Sequence, residues 1–245
     1  MKLVLLILML SDALFAEEAF KLGTKAGEQW VAPDGSIYCW CPPTNKQPGF
    51  WIGKYEVTQS KWQGKKAVDS EIPNLPVTNL SIKELRAVLT KLNETEHADN
   101  RLSANWEYAL PTLAQWTYAA KAGTQNARTF PDADLPKHAN VADRSLLDTG
   151  NDLYLYADNK LNDGHAHLAP VGSYLPNPWG IHDIFGNVWE ITEDGTLCGG
   201  SWVSPPDYCR ADAPKIATTI KKANLYPSDF IGFRMVIRPI ALRRK

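Results

Sequence analysis

Four cysteines, five histidines and a scatter of Asn, Asp and Glu are the residues of this 245-residue chain best able to do chemistry. Cys39-Trp40-Cys41 lacks the two-residue spacer of a zinc site, and no matching Cys/His pair follows it, so zinc is not expected. In an oxidising compartment, Cys39, Cys41, Cys198 and Cys209 default to disulfides, with three possible connectivities. Cys39 and Cys41 fall on one face of a strand, with Cα atoms about 6.5–7 Å apart, at the edge of bridging range. Cys198 and Cys209 enclose ten residues, a loop that a disulfide can close. His97, His138, His165, His167 and His182 form no set with metal-site spacing and read as surface or capping residues. No Ser-His-Asp arrangement, Gly-rich phosphate loop or basic-aromatic stretch stands out.

The elements that must position these groups are legible in part. Residues 1–16 carry Lys2, eight apolar residues from Leu3 to Leu10, and then small residues. That is the pattern of a cleaved signal peptide, too short to span a membrane, and it predicts export to the periplasm or the medium. Cleavage is expected after Ala16, with Ala13 the second choice, and the absence of a Cys at the junction argues against a lipid anchor. No other segment is long and apolar enough to span a membrane. Residues 17–36 are polar and read as an arm leading into the fold, and 37–241 as one domain. Ile37–Cys41 and Phe50–Val57 read as strands. Ser81-Ile82-Lys83-Glu84 is a capping box opening a helix with Ile82, Leu85, Leu89 and Leu92 on one stripe. Thr112-Leu113-Ala114-Gln115 opens a second, with Leu113, Trp116, Ala119 and Ala120 inward and Gly123 placed to stop it. Beyond Gly123 periodicity fades for about a hundred residues, and so long an irregular stretch needs metals, disulfides or buried Trp to hold it. The chain has nine Trp. Its composition is 44% apolar and 22% charged, and 26 Lys and Arg against 27 Asp and Glu leave a net charge of −1. That balance argues against a nucleic-acid partner.

Five phrases, in order, then resemble one family. They are Phe50–Gln59 (FWIGKYEVTQ), Pro76–Ser81 (PVTNLS), Leu110–Ala120 (LPTLAQWTYAA), Ala169–Ser173 with Asn177–Glu190 (APVGS, NPWGIHDIFGNVWE), and Gly199–Trp202 with Gly232–Arg234 (GGSW, GFR). The chain resembles the formylglycine-generating enzymes, or sulfatase-modifying factor domains, over roughly residues 37 to 238. The resemblance implies an irregular α+β fold of the C-type lectin-like kind, low in regular secondary structure, with two main helices. It also implies structural calcium. One ligand set matches Asn140, the Val141 carbonyl, Asp163 and the His165 carbonyl; the other matches Asp183, the Gly186 and Val188 carbonyls, and Glu190. Carboxylate, amide and backbone oxygens are the donors calcium takes.

Active members of the family oxidise a client sulfatase's cysteine with O₂, using copper(I) held by two cysteines three and eight positions after the Gly-Gly-Ser serine. Counted from Ser201, those positions are Ser204 and Cys209. One soft ligand is therefore missing; copper(I) wants two thiolates and a hydroxyl is a poor replacement. Cys198 is about 20 Å from Ser204 in extended chain and does not substitute for it. Cys209 is the one residue left to carry catalysis on this scaffold, with a disulfide to Cys198 or a buried thiol as its other readings. Ala109, Leu113, Gln115, Thr117 and Ile191 also depart from the family's usual residues. Copper is accordingly not expected. The reading is a binding or assembly protein for a protein, peptide or glycan ligand, with Ser201, Trp202, Ser204, Tyr208 and Cys209 lining its groove. The competing reading is an oxidase of the formylglycine-generating type, or another oxidative maturation activity of the family. Whether the chain is an enzyme, and its oligomeric state, stay open at this level.

Overall fold

Alternation of side chains along Ile37–Cys41 builds two cores at once, because successive residues of a strand point to opposite faces. Tyr38 and Trp40 join one cluster with Trp30, Trp51, Trp106 and Tyr108, while Cys39 and Cys41 join another with Phe50, Ile52 and Trp116. A computed structural model describes residues 20–62, 74–150, 156–213, 216–217 and 228–240. The expected signal peptide and its cleavage site lie outside the described residues, as do 241–245.

The first sheet contains β1 (Gln29–Val31), β2 (Ile37–Cys41), β3 (Phe50–Gly53), β4 (Trp106–Ala109) and β9 (Val236–Pro239), in the order β1-β2-β3-β9-β4. All its pairings are antiparallel, with Trp40 opposite Trp51 and Tyr108 opposite Ile237. The second sheet contains β5 (Trp189–Ile191), β6 (Thr196–Cys198), β7 (Ile216–Ala217) and β8 (Ile231–Gly232), in the order β7-β6-β5-β8, with β5 and β8 parallel. The helices are α1 (Gln59–Trp62), α2 (Ile82–Ala98), α3 (Leu113–Lys121), α4 (Leu135–His138) and α5 (Arg144–Leu147). This is an α+β fold with few helices. No described helix is long and apolar enough to cross a membrane.

Both capping boxes start their helices as the sequence predicts. Ser81 Oγ accepts from the Glu84 backbone N–H and Glu84 accepts back from that of Ser81; Thr112 and Gln115 make the same exchange. Leu85 and Leu89 are buried on the Trp-rich side of the first sheet, and Ile82 and Leu92 are partly buried beside them. Trp116, Ala119 and Ala120 pack on the opposite side, where Gln115 is buried as well. The αL turn that ends α3 begins at Ala122 (φ 45°), one residue before Gly123 (φ 81°).

Two expectations change. The segment expected as an arm contributes β1, because Trp30 inserts into the aromatic core while Gln29 and Val31 stay exposed. The second strand stops at Gly53, short of Val57.

The long irregular stretch is tied by buried side-chain amides. Asn177 donates from Nδ2 to the Ala119 carbonyl and accepts from the Trp179 and Ile181 N–H groups. Gly186 (φ 75°) sits so close to residue 140 that an added Cβ would lie 2.1 Å from the Asn140 carbonyl oxygen. Gly186→Ala is therefore expected to cost about 2–3 kcal/mol of stability, from strain at positive φ plus overpacking against backbone. Chemical denaturation measures it, and a loss below about 0.5 kcal/mol, the size of an ordinary surface change, would contradict the close approach.

Candidate functional site

Among the described residues, five buried side-chain oxygens have no hydrogen-bond partner: Tyr38 Oη, Glu56 Oε1, Asn74 Oδ1, Asn140 Oδ1 and Asp183 Oδ1. Buried polar atoms are overwhelmingly paired, so these orphans mark where the fold leaves room for something else. Asn140 and Asp183 belong to the two expected cation sets, and the other three oxygens, themselves buried, are on residues that contribute to the wall of one cleft.

The first set is brought together. Asp163 accepts from the Val141 N–H at 2.7 Å and the His165 N–H at 2.9 Å, which draws residues 140–141 against 163–165. Asn140 spends Nδ2 on the His167 carbonyl (2.8 Å) and Asn187 Oδ1 (3.2 Å), leaving its own Oδ1 open. Burial pushes the Asp163 carboxyl up to about 7, and the nearby Asp143 adds to the rise. An open amide oxygen beside a carboxylate that lacks a counter-charge is the donor chemistry of a hard-cation site.

In the second set Glu190 faces another partner. Arg234, fully buried, pairs with it at 2.7 Å. Its Nε sits 3.0 Å and 3.2 Å from the two Glu190 oxygens, and Trp116 Nε1 donates to Oε2 at 2.8 Å. Both Glu190 oxygens are thus occupied, and the open oxygen of this set is Asp183 Oδ1. Asp183 stands at the head of a tight turn, with positive φ at Asp183, Gly186 and Asn187. Burial raises its carboxyl to about 6, and Glu190 adds to the rise. Glu56, buried nearby, is pushed well above the usual carboxylate range by burial first and by Asp183 second. Its Oε2 accepts from Asn187 Nδ2 at 2.9 Å.

The expected groove residues are packed. Ser201, Trp202, Ser204 and Cys209 are buried and Tyr208 half-buried. Ser204 Oγ accepts from the Ser201 N–H and lies 3.0 Å from Ser201 Oγ. Trp202 meets the His167 ring edge-on at 4.9 Å, and Tyr208 meets Trp189 at 6.0 Å. No disulfide joins Cys198 to Cys209. Cys209 is instead pressed against Gly200, where an added Cβ would lie 2.5 Å from its Sγ. Burial pushes the Cys209 thiol up to about 12. Cys39 and Cys41 do share a face, in the core around Trp116, without a disulfide between them.

The open cleft lies elsewhere. It has a volume of about 260 Å³, and Tyr38, Glu56, Lys61, Asn74, Val171 and Met235 are among its lining residues. The sequence reading did not reach it. A signal was present in Glu56, a carboxylate directly followed by Val57 and only a few residues beyond the buried strand β3.

Residues 19–239 match the family described as the sulfatase-modifying factor enzyme 1-like domain. The formylglycine-generating enzyme of Streptomyces coelicolor is 28% identical over 205 residues, which cover 82% of this chain and 49% of that protein, so the chain spans about half its length. Chaperone protein LppX of Paenibacillus barcinonensis is 30% identical over 201 residues, covering 63% of this chain and 70% of that protein. Among solved structures, PvdO from Pseudomonas aeruginosa superposes with a TM-score of 0.63 at 19% identity, over 89% of this chain and all of that one, a likeness of fold. The family match runs through nearly the whole described chain, and the chain belongs to the sulfatase-modifying factor enzyme 1-like family.

Proposed function

We propose that this chain is an exported binding or assembly protein on the formylglycine-generating-enzyme scaffold, without the copper oxidase chemistry. The observation that carries the reading is Ser204. It occupies a position where the family's oxidases place a copper-ligand cysteine, and its hydroxyl is engaged by Ser201. A buried hydroxyl bound to a neighbour offers copper(I) nothing comparable to a thiolate. The similarity to a protein named as a chaperone favours an assembly role, with a protein or peptide client ahead of a glycan. The test is incubation of the reduced protein with copper(I), O₂ and a cysteine-containing sulfatase peptide, followed by peptide mass. Unchanged peptide is expected; its conversion to the formylglycine form would sink the proposal.

Calcium belongs to the same reading, as a structural ion. Asn140 Oδ1, the Val141 and His165 carbonyls and Asp163 would hold it, supplying charge balance to a buried carboxylate rather than chemistry. A ligand bound only by the native state stabilises it by about 2.7 kcal/mol at a hundred times its Kd. Calcium is expected to raise the melting temperature, and Asp163→Asn to remove most of that gain. Identical melting in excess calcium and in chelator would show that hydrogen bonds alone hold these loops.

A further inference from the structure

The first sheet seals one of its edges and leaves the other open. At β4 the outward backbone groups are all met. The Trp106 N–H donates to the Ser103 carbonyl, and His97 Nε2 donates to the Trp106 carbonyl, both at 2.8 Å. Asn93 donates from Nδ2 to the Tyr108 carbonyl and accepts from the Tyr108 N–H, both at 2.8 Å. At the opposite edge, the Trp40 N–H donates to the Glu28 carbonyl and the Ala32 N–H to the Ser36 carbonyl, so residues 28, 30 and 32 face β2. Alternation then turns the N–H and C=O of Gln29 and Val31 away from β2. Among the described residues these outward groups form no hydrogen bond.

An open edge is a template for another extended chain. A polypeptide backbone repeats donor and acceptor at the strand period, so outward groups on alternate residues fit a peptide rather than a glycan. The side chains of Gln29 and Val31 share one face and are exposed, Val31 at 53%. That face sets the chemistry of an added strand. Val31 stands opposite half-buried Ile37, so a residue laid beside Val31 meets apolar surface. Lys54 Nζ lies 3.4 Å from Gln29 Oε1 and 5.5 Å from the centre of the Tyr55 ring, and bears no salt bridge among the described residues. A residue laid beside Gln29 therefore meets a cation without a counter-charge. A second copy pairing through its own β1 would place Val31, not an acid, beside Gln29. The strand's three residues make a short template, which keeps the contact weak and reversible.

We infer that the outer edge of β1 binds an extended peptide segment of a client protein, with an apolar residue beside Val31 and an acidic residue beside Gln29 and Lys54. The inference rests on the assembly reading above and deepens it, naming where the client docks.

The full chain, labelled with ¹⁵N, is titrated with the capped peptide Thr-Val-Thr-Glu-Thr. In the antiparallel register, the more stable one, this peptide lays its Val beside Val31 and its Glu beside Gln29. In the free protein the Gln29 and Val31 amides are expected to exchange freely with solvent while Trp30 is protected. The peptide is expected to shift the signals of both and to protect them. N-methylation of the peptide's Val and Glu nitrogens removes its two donors and is expected to weaken binding about tenfold or more. Lys in place of Glu is expected to weaken it about threefold, by a margin that shrinks in high salt. Val31→Pro removes an N–H that bonds to no described residue, so the fold is expected to stand and peptide binding to be lost. If that variant does not fold, the N-methylated peptide tests the same bonds on the wild type. Gln29 and Val31 amides already protected in the free protein would overturn the inference, whether another segment or a second copy covers them. So would equal affinity of the N-methylated or the Lys peptide, or no shift at about 10 mM peptide, ten times a Kd of about 1 mM. None of these outcomes involves copper, so failure of the docking edge and failure of the assembly reading show in different assays.

Discussion

Arg234→Met is expected to destabilise the fold by about 3–5 kcal/mol, the cost of leaving one partner of a buried ion pair alone. Arg234 and the Glu190 side chain are 0% and 1% exposed. Besides Glu190, the guanidinium donates to the Gly53 carbonyl at 2.8 Å and the His182 carbonyl at 2.9 Å. One side chain thus ties the end of β3, the loop before the Asp183 turn, and β5 of the second sheet. Its removal orphans two backbone carbonyls and strands Glu190 among Asp183 and Glu56, which already repel it. The double variant Arg234→Met with Glu190→Met is expected to recover part of the loss, because no unpaired charge remains at position 190. Urea unfolding reads both, as a fall in midpoint at constant slope. A loss below about 1 kcal/mol for Arg234→Met would match a surface pair and contradict the buried one.

Ser204→Cys is expected to raise affinity for copper(I) by orders of magnitude. The substitution restores a thiol five residues before Cys209, and soft-metal affinity follows the number of thiolates. With no disulfide to Cys198, Cys209 is available to bind without prior reduction of such a bridge. Cys209 needs deprotonation to bind, and its raised pKa makes the reaction release protons. Activity need not return with the metal, since positioning of substrate is a separate requirement. An affinity unchanged by Ser204→Cys would mean that positions 204 and 209 do not face a common point.

The parts of this fold that announce themselves locally were legible. Capping boxes at Ser81 and Thr112 report two helices because the side chain that starts each helix lies within four residues of the one that answers it. Cys39 and Cys41 report a shared face through strand period alone. The resemblance paired Asn140 and Val141 with Asp163 and His165, and the Val141 N–H does donate to Asp163, 22 residues away. What the sequence hid depends on contacts across the chain. Arg234 reaches Glu190 across 44 residues, and Asn187 reaches Glu56 across 131. No spacing rule foretells that Glu190 will be satisfied by a guanidinium, or that Tyr38 and Asn74 will meet around a cleft. β1 was missed for a different reason: with three residues, a single buried Trp30 carries no periodicity.

The central claim is that Ser204 ends the copper chemistry of this scaffold, and anaerobic copper(I) titration of the reduced wild-type protein tests it most directly. Competition against a copper(I) chelator, with Cys209→Ser beside the wild type, is expected to show no tight equimolar site and no difference between the two proteins. A tight equimolar site in the wild type that Cys209→Ser abolishes would contradict the account, because Cys209 would then be holding copper with a second soft ligand from elsewhere in the chain.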